Sequence, residues 1–588
     1  MMRSTTESLE RRLAVSRESL RTPVADVARP RRWPVLLAAL VIAGAGAAAY
    51  SNSFRCVFIF DDLPGICKNE TLLRLWPIWP VLFSATAVTC VGRPLLNLSL
   101  AVNYALAGGY KDGVLEVWGF HLFDLVTHIL TGLVLLGVVR RTLLLPSIPE
   151  RFRKAATGLA MAIALIWTVH PLQTESVTYL VQRCEAMVGF FYLLTLYSII
   201  RASQARRPVA WYVVAVVACV LGTATKEVMA TAPVVLFVYD RVFLAGSFRE
   251  ALRRRWVLYA FLVATWGMLA VLVLSSEGRA GSAGFGYGMG SWEYGRTQFK
   301  YVVHYLRLAF WPNPLVLDYG VRTVDTVAEI LPYAIVVTLL AAGTAVALLR
   351  RPWIGFLGFW FFAILAPSSS FVPLVTQIAA EHRMYLPLAA VVTLVVIGGY
   401  AGGTRLLARL EAPDSRRKAI GVALAVALVG AVAGVFGYLT YRRNMDYSSD
   451  LTAWSDIATK VPDNARAQYT VGNCLGRRDR LDEAIERYKI ALRLDPAYVD
   501  AHNNLGGVYL RQKKLKEAEA EYREAIRIRP TYAEAISNLG GVLAMQGRRE
   551  EAIACFRQAL RIKPGCIEAQ GNLSRLLAQM PPPPGPTP

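Results

Sequence analysis

Charge is in short supply in this sequence. Asp, Glu, Lys and Arg make up 18% of its 588 residues, against about 25% in an average soluble domain. Acid is scarcer still: 42 residues stand against 64 basic ones, a net charge of +22. With 55% hydrophobic residues and a mean hydropathy of +0.38, these shortages exclude an ordinary soluble protein. A basic excess normally raises the question of nucleic acid, but its distribution along the chain answers otherwise.

What the chain has in place of charge is long apolar runs. Stretches of about 17 to 25 apolar residues read as membrane spans. Eleven candidates stand near 33–50, 117–139, 156–170, 179–201, 209–225, 227–244, 256–275, 329–349, 353–369, 384–402 and 419–440. Lys and Arg beside spans resist translocation and stay in the cytoplasm. Arg3, Arg11, Arg12, Arg17, Arg21, Arg29, Arg31 and Arg32 precede the first span, which puts the N-terminus inside. By alternation the next inside loops carry Arg140 to Lys154, Arg201 to Arg207, Arg241 to Arg255, Arg350 with Arg351, and Arg405 to Lys418. The outside connections lack that excess; "PLQTES" at 171–176 carries only Glu175. Topology thus accounts for the basic surplus, and no nucleic-acid partner is expected. The small residues "AGAAAYS" at 45–51 suit a signal peptidase, but a head of 32 residues with Glu7, Glu10, Glu18 and Asp26 argues for a retained signal anchor.

The first outer loop, 51–116, reads "FDDLPGICKNE" at its start, placing Asp61 and Asp62 between Cys56 and Cys67. Two adjacent acids can be no more than a solvated turn. Cys56, Cys67 and Cys90 share this loop, where a disulfide is chemically allowed, and a Cys56 to Cys67 bridge would clamp the acids. Further ionisable groups fall at the outer ends of spans: Arg93, His121, His170, Glu175, Arg183, Glu185, Lys226, Glu227, Asp318, Glu381, His382 and Arg383. Each alone could be an interfacial charge snorkelling to water. Together, drawn from five connections onto one face, they read as a polar cavity or pathway.

After the last span the composition turns amphipathic and charged. Prolines recur at 462, 496, 530 and 564, a period of 34, in register with Gly472, Gly506 and Gly540, with Ala484, Ala518 and Ala552, and with Tyr488, Tyr522 and Phe556. This is the tetratricopeptide pattern of stacked helix-turn-helix units. Trp454, 34 residues before Tyr488, marks a half repeat that caps the array. Stacked repeats offer a concave surface for peptides or proteins. Asn504 and Asn538 are candidate backbone-binding groups there, with bracing of neighbouring helices the alternative. The expected organisation is a basic tail 1–32, a membrane domain 33–441, repeats 442–577 and a disordered proline-rich end 578–588. The fold class is all-α.

The stretches "FDDLPGICKNE", "GRPLLNLSLAVNYAL", "WGFHLFDLVTH", "VHPLQTESVTYLVQRCE", "TKEVMATAPVVLFVYD", "YLRLAFWPNPLVLDYG" and "EHRMYLPLA", followed by such repeats, resemble the transmembrane and tetratricopeptide repeat-containing O-mannosyltransferases and their bacterial relatives. The resemblance runs from about residue 50 to 577. It implies a GT-C membrane glycosyltransferase that moves a sugar, mannose in that family, from a polyprenyl-phosphate carrier to a protein at the outer face of the inner (plasma) membrane. Such transfer to a Ser or Thr hydroxyl needs a base for the acceptor proton and cations around the departing phosphate. Asp61 or Asp62 can be that base. Neighbours in an extended stretch point to opposite faces, so one acid would meet the acceptor and the other orient a partner; the resemblance favours Asp61. Arg93, Lys226 and Arg383 are the candidate phosphate ligands, with His121, His170, Glu175, Arg183, Glu227, Glu381 and His382 shaping the pocket. Two acids with a Glu or His could also hold Mg²⁺ or Mn²⁺, whereas the resemblance implies no required metal. His128, seven residues after His121, reads as a buried packing residue. Two other functions fit the same features: a glycosyltransferase for a lipid or envelope glycan, and a non-catalytic membrane scaffold for the repeats.

Overall fold

The computed structural model describes residues 33–84, 90–111, 114–276, 289–320, 323–370, 372–374 and 377–579. The basic tail 1–32 and the proline-rich end from 580 lie outside them. Helices dominate, and the ladder pairing Tyr110 with Leu115 and Lys111 with Val114 is short and local.

Among the described residues, eight helices are long and apolar enough to cross a membrane, from the one at the N-terminal side that includes Trp33–Ala49 to the one that includes Asp414–Asn444. Val327–Arg350 buries none of its residues against the protein although it holds Leu331, Ile335, Val336, Leu339 and Leu340 exposed. Such a surface is stable only in lipid. The chain is therefore a multi-pass membrane protein.

Three expected spans differ from simple crossings. Ala156–Thr168 and Pro171–Thr178 meet at a bend of 54°, because Pro171 cannot continue the hydrogen-bond ladder. Val209–Thr223 and Pro352–Leu365 are apolar but have only 15 and 14 residues, short of the about 17 a full crossing needs. Their ends are set by Pro208 and the polar Thr225 and Lys226, and by Arg350, Arg351 and Pro367. Pro94–Leu106 is a further apolar helix, within the first outer loop.

The bundle has two unlike ends. At one, Phe152 packs on Trp353 and Tyr400 and Arg141 donates to Gln204, which gathers the Arg-rich connections. At the other lie the acidic loop and the repeats. Asn444, closing the last long helix, donates to Ala49 O and Asn52 Oδ1 and accepts from Thr178, while Arg443 pairs with Asp446 and Asp456, each at 2.8 Å. These bonds fix the joint between bundle and array.

The array is built from helix pairs running from Asp450–Lys460 through Ile567–Ala578. Its period has a direct cause: a Cβ on Gly472, Gly506 or Gly540 would meet the ring of Tyr488, Tyr522 or Phe556 at 2.7, 3.0 and 2.9 Å. The paired helices cross where only glycine fits. A single apolar cluster joins Cys56, Ile59, Tyr179 and Val181 of the membrane domain to Trp454, Ile457 and Val471 of the repeats, so the array is packed onto the acidic loop.

Candidate active site

The two acids occupy different environments. Asp62 is fully buried. Its Oδ1 accepts from the Val181 N–H at 2.7 Å and its Oδ2 from the Ile59 N–H at 3.1 Å, which ties the loop to the segment entering Arg183–Gln204. Burial pushes its carboxyl up to about 8, against the pull of those N–H groups. Asp61 is half-buried. Its backbone N–H donates to Tyr179 Oη at 2.9 Å, and its carbonyl accepts from Gly65 N–H at 3.0 Å. Burial raises its carboxyl to about 6; the Tyr179 hydroxyl, Arg466 and Arg93 pull it down and Asp318 pushes it up. A carboxylate tuned toward neutral pH is matched to taking a proton. Just before it Phe60 adopts φ +47, a conformation bulky side chains rarely tolerate. Its ring stacks on Tyr179 at 6.5 Å and meets the edge of Trp454 at 5.2 Å.

Below the acids lies an ionic cluster drawn from four segments. Lys226 Nζ sits 2.6 Å from Glu185 Oε1, and Arg93 lies 3.5 Å from Glu227. Both cations reach the same thiol, Arg93 at 3.9 Å and Lys226 at 3.8 Å from Cys184 Sγ. His382 contacts Glu175 Oε1 through Nδ1 at 2.7 Å and lies 3.8 Å from Glu185, and its backbone N–H donates to the other Glu175 oxygen. Burial, with Lys226 nearby, holds the His382 imidazolium pKa well below its ordinary value, and its Nδ1 shares a hydrogen bond with Glu175.

Other expected site residues are engaged in bracing. Arg383 donates to Tyr294 Oη and to the carbonyls of Ser368, Ile378 and Gln377. Its charge is compensated by carbonyl dipoles. Arg183, fully buried, lies 2.9 Å from Asp124 and donates to Asn103 and to Phe120 O. His170 accepts from Leu172 N–H through Nδ1, so its Nε2–H donates to Ala309 O at 3.1 Å and steadies the bend. His121 reaches Cys56 O at 3.4 Å. Glu381 accepts from Val316 N–H and Tyr319 Oη, pinning the 311–320 loop. His128, between Tyr385 Oη and Thr168 O, packs in the core. Asn504 is held by Tyr469, Asn473 and Asn503, and Asn538 by Asn503, so these amides brace successive helices.

Cys56 keeps its thiol, which donates to Asn444 O at 3.2 Å, so the bridge to Cys67 does not form. Among the described residues no three His, Cys, Asp or Glu side chains gather as metal ligands.

Sequence reasoning missed Tyr179, Asp124, Asn103 and Arg466. Tyr179 lies inside the quoted "TESVTYLVQRCE" stretch, but nothing in the local pattern reveals a contact reaching back to Asp61.

Residues 498–565 match a family model described as tetratricopeptide repeat, and residues 472–513 a second one described as TPR repeat. Human protein O-mannosyl-transferase TMTC3 is 23% identical over 518 residues, covering 80% of this chain and 52% of its own. The chain is similar to the tetratricopeptide-repeat protein O-mannosyl-transferases. Drosophila melanogaster Tmtc3 is 25% identical over 547 residues, 81% of this chain and 57% of that protein, so the chain spans about half the length of the curated relatives it matches. The crystal structure of ArnT from Cupriavidus metallidurans bound to undecaprenyl phosphate overlaps 74% of this chain and 80% of its own at 14% identity and a TM-score of 0.38, a similarity too loose to carry a functional reading. The homology extends across both the membrane bundle and the repeats.

Proposed function

We propose that this protein transfers a sugar, mannose by kinship with its relatives, from a polyprenyl-phosphate donor to Ser or Thr of an acceptor protein held near the repeats. The observation that carries this reading is the division of labour between the acids: both Asp62 oxygens are committed to backbone N–H groups, while the Asp61 carboxyl, pushed up to about 6, is the one suited to take the hydroxyl proton. Arg93 and Lys226, both directed at Cys184 Sγ, receive the leaving lipid phosphate. In the resting state Glu227 and Glu185 neutralise them, and the donor phosphate exchanges with those carboxylates. Arg383 then serves by holding Ser368, Gln377 and Ile378, and Glu175 by fixing His382 beside the clamp. No metal enters this scheme.

The reading is tested with purified protein in liposomes, a polyprenyl-phosphate mannose donor and a Ser/Thr peptide. Lys226→Ala and Arg93→Ala should each raise the donor KM by about 10- to 100-fold, the worth of one charge-assisted hydrogen bond, and leave the peptide KM unchanged. A wild-type donor KM in both variants would remove the phosphate clamp from the scheme.

The Arg-rich end supports an orientation with that end in the cytoplasm and the acids and repeats outside the inner membrane. An impermeant thiol reagent added to intact cells should label Arg523→Cys in the repeats and spare Arg206→Cys until the membrane is permeabilised. The opposite labelling pattern would invert the protein.

A further inference from the structure

The acidic loop does not hold its shape alone. Phe60 at φ +47 is strained, and strain of this kind persists only where the surroundings over-determine it. Two of the three groups around its ring come from the repeat array: Trp454, at 5.2 Å, and the Arg466 guanidinium, 5.9 Å from the ring centroid. Arg466 is in turn 3.5 Å from Asp318 Oδ2. Asp318 is itself buried, accepting from Gly320 N–H through Oδ1, and its carbonyl accepts from Asn464, two residues before Arg466. Lys460 donates to Leu315 O on the same loop. The start of the array is thus latched to 315–320 on one side and to Phe60 on the other.

We propose that Arg466 is a positioning residue for the transfer reaction: anchored by Asp318, its guanidinium holds Phe60 against Trp454 and thereby aims Asp61 at the acceptor hydroxyl. This rests on Asp61 being the base. The repeats are then part of the catalytic apparatus as well as a recruiting surface, since a cation–π contact from their first full helix, Ala465–Arg477, sets the loop that carries the base. The charged and titratable groups that act on Asp61 are Tyr179, Arg466, Asp318 and Arg93, with Asp62 adjacent in the chain.

Full-length Arg466→Ala, Arg466→Lys and Asp318→Asn proteins, reconstituted with polyprenyl-phosphate mannose and a Ser/Thr peptide, test this through kcat, donor KM and the pH dependence of kcat. Arg466→Ala should lower kcat by about tenfold at unchanged donor KM, as an interaction with the base rather than the donor would. Its rising pH limb should move up by roughly half a unit or more, since a cation that favours the carboxylate is gone. Asp318→Asn, which frees the guanidinium from its anchor, should also lower kcat at unchanged donor KM. Arg466→Lys should restore the limb but only part of the rate, since an ammonium keeps the charge without the flat face that meets the ring. A wild-type rate and limb in Arg466→Ala would overturn the proposal. If Arg466→Ala fails to fold, a wild-type kcat in Asp318→Asn overturns it instead. Full activity of Asp61→Asn would defeat the underlying base assignment; an inactive Asp61→Asn beside a wild-type Arg466→Ala would defeat this inference alone.

Discussion

Asp61→Asn is expected to reduce sugar transfer by about 10²- to 10⁴-fold, the usual worth of a general base, with donor binding intact. Asn keeps the size of the side chain and an oxygen acceptor, so the change isolates basicity. The wild-type rate should rise with pH through about 6, where the Asp61 carboxyl gives up its proton, and level off above; the variant should lose that limb. The stability consequence has the opposite sign. A carboxyl whose proton is held more tightly in the folded state than at its ordinary value of 3.8 loses folding stability as pH rises from that value through about 6. Asp61→Asn should therefore be at least as heat-stable as wild type at pH 7, the mark of a group kept for chemistry. Asp62→Asn differs. An amide can accept one of the two N–H groups that Asp62 binds but turns a donor toward the other, at about 1–3 kcal/mol for the unmet pair. Its loss should appear chiefly in thermal stability. An Asp61→Asn protein, folded and inserted, that transfers sugar at the wild-type rate would leave the acids as a structural turn.

The repeats were the most legible part of this chain, because a contact such as Gly472 against Tyr488 recurs every 34 residues and so writes itself into the sequence as a period. The spans were legible as segments, since lipid demands continuous apolar surface. Their lengths were less so: the polar boundaries that cut Val209–Thr223 and Pro352–Leu365 to 15 and 14 residues look in sequence like ordinary span ends. Within the site, the convergence of Arg93, Glu175, Glu185, Lys226, Glu227 and His382 followed from their shared position at one end of the bundle. Individual roles did not follow. Arg383 carries the same charge as Arg93, and only the folded loop reveals that its donors are occupied by Ser368, Gln377 and Ile378 carbonyls. Likewise Asp61 and Asp62 are indistinguishable as letters; the Val181 N–H, 119 residues away from Asp62, separates them.

Arg183→Met should be among the most damaging substitutions for folding, although it lies outside the proposed chemistry. Arg183 and Asp124 are both fully buried between Trp118–Leu143 and Arg183–Gln204. Nε and Oδ1 are 2.9 Å apart, and Arg183 is the cation that faces the fully buried Asp124. Asp124 therefore depends on the charge of Arg183 to stay ionised in a buried site. Removing one member of a buried pair costs about 3–5 kcal/mol, mostly through the charge left behind. Arg183 additionally donates to Asn103 and the Phe120 carbonyl, which fixes Pro94–Leu106 under the acidic loop. Thermal unfolding of the detergent-purified protein, followed by loss of its monodisperse peak, should show a large drop for Arg183→Met and a clearly smaller one for Arg183→Met combined with Asp124→Leu, where no charge is stranded. A double variant no more stable than the single would mean that the helices depend on the Asn103 and Phe120 bonds, and that the ion pair contributes little to holding Trp118–Leu143 against Arg183–Gln204.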